Sequence, residues 1–249
     1  MQGIWLMLLK PRVRHYLAKF VLHGGFKNLC GHQLEAAWKD FFVAIEPSAG
    51  ADVLILPWAN STRSLTQHHH QIPAAFSKRC RKYWHINTYN IKIINNSSVL
   101  EEYFQQKHKQ KSTLIYLPGG ILGDKAVAEM QKALPRMASY LAQPNITFAG
   151  VSAGAYALTA FYYHPRKQKI LPGGGLVQGG VCCHADEERQ QNLGTSHLGT
   201  SHLRTGNLST SKFSTDNLSM GNPAIPELFY ILPDGRFEVI TAPEALAVT

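Results

Sequence analysis

One unit recurs along the chain: a short apolar run ending in glycine or proline, then a longer stretch with apolar residues at helical spacing. "AKFVLHGG" (18–25) precedes "HQLEAAWKDFFVAI" (32–45), and "ADVLILPWA" (51–59) precedes a helix over part of 71–84. "YNIKIIN" (89–95) precedes "SVLEEYFQQKHK" (98–109), and "STLIYLPGG" (112–120) precedes a helix through roughly 124–142. "ITFAGV" (146–151) precedes "AGAYALTAFYY", expected to continue as helix until Pro165 stops it. Apolar strands separated by amphipathic helices need cover on both faces, and the helices supply it as crossovers. The predicted fold is therefore α/β: a three-layer, doubly wound, mostly parallel sheet with helices on both faces. "ELFYILPDGRFEVI" (227–240) reads as a C-terminal β-hairpin around Pro233-Asp234-Gly235, added antiparallel at the sheet edge.

At 249 residues and 45% hydrophobic content, the chain suits one α/β domain over 1–249. A low-complexity insertion at about 190–222 interrupts it, where 194–218 divides into the pentads "GTSHL", "GTSHL", "RTGNL", "STSKF" and "STDNL". A five-residue period gathers its leucines on no helical face and alternates them across a strand, so neither helix nor sheet edge gains from it. A mobile, idle insertion is expected.

The formal net charge of +9 is spread over short clusters such as "KPRVR" (10–14) and "KRCRK" (78–82), with no nucleic-acid-binding module around them. The run "GIWLMLL" near the start is too short to span a bilayer and lacks the flanks of a secretion signal. Cys30, Cys80, Cys182 and Cys183 form neither a disulfide framework nor a zinc spacing. "HHH" (68–70) has no acidic or cysteine partner nearby. The expectation is a cytoplasmic protein without metal or cofactor, binding neither nucleic acid nor membrane, with room for a homodimer.

Ligand sites in open α/β sheets lie at the carboxyl ends of the strands. There, "GVSAG" sets Ser152 between Gly150 and Gly154 at a strand-to-helix turn. Flanking glycines let neighbouring chain approach such a turn, and the helix start offers unpaired N–H groups to an oxyanion. A nucleophilic serine needs a base. His164 lies twelve residues along what is read as continuous helix, about 18 Å away, and cannot reach. His184 follows the glycine-rich return "LPGGGLVQGGVCC" (171–183) and can.

"YLPGG", "FAGVSAGAYAL", "LPGGGL" and "CCHAD", with "HGG" at 23–25, together resemble the peptidase E and cyanophycinase group of serine peptidases (peptidase S51). That group is a branch of the class I glutamine-amidotransferase-like fold, and the likeness runs from about 18 to 188. It implies Ser152 as nucleophile, His184 as general base, and an oxyanion hole from the amide of Ala153 with one from Gly119 or Gly120. Peptidase E carries its acid between serine and histidine, whereas residues 153–183 contain no Asp or Glu. The related amidotransferases place an acid two residues after their histidine, which points to Asp186, with Glu187, Glu188 and Glu227 as competitors. The family's substrates, Asp-initiated dipeptides and a β-aspartyl polymer, imply a small peptide partner and an arginine for its carboxylate, with Arg166 the candidate. The family's Asn-Thr after the glycine turn is here "ILGD" (121–124), which leaves the substrate open. Two rival readings remain: an esterase of the α/β-hydrolase type, and a non-catalytic binding or scaffold protein of the same fold.

Overall fold

In a computed structural model, residues 18–60, 71–85, 89–106, 111–186, 188–189, 203–205 and 229–241 are described. The run at 3–9, the triple histidine at 68–70 and most of the pentads lie outside them. The first sheet contains β1 (Lys19–His23), β2 (Asp52–Ile55), β3 (Asn90–Ile93), β4 (Thr113–Leu117), β5 (Ile146–Val151) and β11 (Phe237–Ile240). Its order is β11-β1-β5-β4-β2-β3, parallel except for β11, which pairs antiparallel with β1 at the edge.

Alternate residues of these strands feed two different cores, as the period of two requires. Val21, Val53, Ile55, Leu114 and Tyr116 pack on one side against Phe41, Phe42 and Ile45 of α1 (Gly31–Ile45) and Phe76 and Cys80 of α2 (Gln71–Tyr83). Phe20, Leu22, Leu54, Ile115, Leu117 and Phe148 face the other way. They meet Leu100 and Phe104 of α3 (Ser97–Gln106) and Met130, Met137 and Leu141 of α4 (Gly123–Leu141). This is the three-layer, Rossmann-like α/β architecture that the recurring strand-helix unit predicts.

Two departures from the sequence reading shape the site. The helix after β5 is α5 (Ala153–Leu158), and it ends six residues in, far short of Pro165. Thr159–His164 is a strand, β6, rich in β-branched and aromatic residues that favour extended chain. Thr159 marks the switch: its hydroxyl donates to the Ala155 and Phe161 carbonyls at 3.2 and 2.8 Å. Hence the 18 Å helical separation of His164 from Ser152 does not apply.

Strand β6 also opens a second sheet. With β7 (Lys169–Pro172), β8 (Val177–Cys183), β9 (Leu203–Thr205) and β10 (Phe229–Leu232), it forms the order β7-β6-β8-β10-β9. Strands β10 and β11, expected to pair as a hairpin, instead part at the Pro233-Asp234-Gly235 turn, one entering each sheet. Strand β9 lies within the pentads, and its residues 203–205 pair parallel with β10, against the expectation that no sheet edge would use that period.

Candidate active site

Ser152 follows β5 directly and caps α5, with φ 52° and ψ −114°. Only a tight turn forces a residue with a Cβ into that conformation. The glycines around it make the turn possible. A Cβ on Gly150 would lie 2.7 Å from the Gly154 carbonyl carbon, and one on Gly154 would lie 2.0 Å from the Leu117 carbonyl oxygen. Backbone therefore packs on backbone beneath the serine, which lifts its hydroxyl clear of the sheet.

His184 follows β8 immediately and also has positive φ, at 53°. Strained backbone of this kind clusters at functional sites. Its Nε2 lies 2.8 Å from Ser152 Oγ, and its Nδ1 lies 2.6 Å from Asp234 Oδ1. A carboxylate only accepts, so Nδ1 carries a proton, and in the neutral ring Nε2 is then free to accept from the serine hydroxyl. Asp234 is held in turn by the Asn28 backbone N–H, which donates to Oδ2 at 3.0 Å. Beneath the imidazole lies Gly25 at φ 123°, where a Cβ would fall 2.1 Å from His184 Cε1. The Cε1 edge of the ring thus abuts bare backbone.

Asp186 is elsewhere. It accepts from the Arg189 amide at 2.9 Å and faces the Arg189 guanidinium at 3.8 Å. That guanidinium donates to the carbonyls of Cys183 and His184 at 3.0 and 2.7 Å. Asp186 therefore braces the loop that carries the histidine, and the carboxylate on the ring is Asp234. Glu188 is exposed, and Glu187 and Glu227 lie outside the described residues.

The signal that could have found Asp234 is register. Leu232 pairs with Cys183 on parallel strands, so the turn after β10 emerges at the same end of the sheet as the residue after β8. Asp234 and His184 are neighbours for that reason.

Gly119 stands against the serine: a Cβ there would sit 3.3 Å from Ser152 Cβ. Gly120 packs on Ala59, with 2.3 Å between its would-be Cβ and the Ala59 carbonyl oxygen. Ala153 is the first residue of α5, so its amide has no acceptor within the helix. Arg166 lies exposed in the turn between β6 and β7. Nearby, Asp124 binds Tyr162 at 2.5 Å and Lys167 at 3.0 Å, and these two bonds hold its carboxyl below the usual carboxylate range. Among the described residues no group of three or more His, Cys, Asp and Glu side chains could hold a metal, and no helix is long and apolar enough to cross a membrane.

No protein-family model and no curated protein matches the chain. Among solved structures, it is similar to a candidate peptidase E of Listeria monocytogenes EGD-e. That similarity has 11% identity, 93% of this chain and 99% of the other covered, and a TM-score of 0.52. A peptidase from an acI-B1 actinobacterium is 18% identical over 73% of this chain and 76% of its own, with a TM-score of 0.44. At these identities the likeness to the Listeria protein establishes a shared fold.

Proposed function

We propose that the chain is a serine-type peptidase of short peptides, akin to the peptidase E and cyanophycinase group and working in the cytoplasm. Ser152 Oγ attacks the scissile carbonyl while His184 Nε2 takes the hydroxyl proton. Asp234 keeps the imidazole in the tautomer that can receive it and stabilises the imidazolium. The amide of Ala153, with that of Gly119 or Gly120, receives the oxyanion. The imidazolium then protonates the leaving amine, and water enters by the reverse of the same steps to free the serine.

The observation that carries this reading is the hydrogen-bonded chain Ser152-His184-Asp234, with links of 2.8 and 2.6 Å. A core histidine needs no such partners, and two strained residues at the two ends of one bond are costly unless geometry is the purpose. The fold shared with a candidate peptidase E agrees with it. Arg166, exposed in the turn between β6 and β7, is the residue offered to a substrate carboxylate.

The test is a dipeptide screen, including Asp-initiated and β-aspartyl forms, on wild type and Ser152→Ala side by side. Turnover by wild type alone is expected. Equal turnover by both, or none by either together with no labelling of Ser152 by a fluorophosphonate, rejects the reading in favour of a binding or scaffold role.

A further inference from the structure

His23 makes no bond to the three side chains, yet it lies beside them. It ends β1 and is fully buried. Its ring stacks on Phe26 with centroids 4.0 Å apart, meets Phe41 edge-on at 5.0 Å and faces Phe237 at 6.3 Å. Nδ1 accepts the Gly25 N–H at 2.9 Å. An accepting nitrogen carries no proton, so the ring proton is on Nε2, which is buried with no partner among the described residues. Phenylalanine would complete the same aromatic cluster and leave no N–H stranded. What phenylalanine lacks is an acceptor for Gly25.

That acceptor matters because of what the turn holds. The His23 carbonyl accepts from the Ser152 amide at 2.8 Å, the Gly24 carbonyl from the His184 amide at 3.1 Å, and the Gly25 carbonyl from the Gly235 amide at 2.8 Å. Three successive carbonyls thus grip the serine, the histidine and the residue next to the aspartate. Two consecutive glycines would leave such a turn loose. The side-chain bond from His23 closes it.

We infer that His23 is a positioning residue: by accepting from the Gly25 amide it fixes the turn that keeps Ser152, His184 and Asp234 in register. Its catalytic meaning rests on the peptidase reading; its geometric content does not.

The test uses the full chain and two readouts: the downfield proton resonance of His184 Nδ1–H, and the rate at which a fluorophosphonate labels Ser152. His23→Phe fills the cluster without an acceptor. His23→Asn places an amide oxygen where Nδ1 was, and His23→Gln places it near Nε2. The expected result is a shifted or lost resonance and labelling slowed about 100-fold in His23→Phe and His23→Gln, with both largely restored in His23→Asn. An unchanged resonance and rate in His23→Phe overturns the inference, as does failure of His23→Asn to recover what His23→Gln loses. If His23→Phe does not fold, the Asn and Gln pair decides alone. Wild type that resists labelling while its resonance follows these substitutions overturns the peptidase reading and supports the positioning role. Labelling and resonance intact in every variant do the reverse.

Discussion

The Cα of Gly25 lies so close under the imidazole of His184 that a methyl group added there would sit 2.1 Å from Cε1 and 2.8 Å from both ring nitrogens. Gly25→Ala must therefore displace the ring, and φ 123° adds strain for any residue with a Cβ. A displacement of about 1 Å costs about 100-fold in rate. The expected outcome is at least that loss in kcat/KM, checked against the unfolding midpoint of the same variant.

Asp234→Asn keeps the shape at Nδ1 but stabilises the wrong tautomer, so kcat is expected to fall about 10,000-fold. Asp186→Ala removes only a brace on Arg189 and is expected to lose far less. Steady-state kinetics on the two variants compare them directly; a larger loss in Asp186→Ala would move the acid's role back to the loop.

Ser152→Ala and Ser152→Gly both delete the hydroxyl, but only glycine relaxes at φ 52° and ψ −114°. The glycine variant is expected to be more stable than the alanine variant by about 1 kcal/mol. Denaturant melts of the two, both inactive, measure the backbone strain apart from the chemistry.

The acid sensitivity of folding gives a fourth test. Burial, opposed by the charge of Asp234 and aided by His184, pushes the His23 imidazole down to about 3 from its ordinary 6.5. Between those values the unfolded chain binds the proton and the folded one does not, so this residue's contribution to stability falls as pH falls. From pH 7 to pH 5 that contribution drops by about 2 kcal/mol. His23→Phe is expected to lose correspondingly less stability than wild type over this interval, read from urea midpoints at the two pH values.

Ser152 is legible as a candidate from the glycines that flank it at a strand end, and His184 from its place after a glycine-rich return, both local patterns that a sequence displays. Asp234 reads as part of a hairpin turn because its neighbours, proline and glycine, are what such a turn uses. Its partnership with His184 depends on β10 aligning beside β8, across about 50 residues, most of them outside the described part of the chain. The segment 159–164 is ambiguous in sequence for a different reason: an aromatic run after an alanine-rich helix start suits either period, and packing on β8 decides for strand.

Ser152 comes from the first sheet, His184 from the second, and Asp234 from the connection that passes between them. Neither sheet alone supplies all three side chains. The three side chains can meet only when both sheets are in place, so their hydrogen-bonded chain reports on the seating of one sheet against the other.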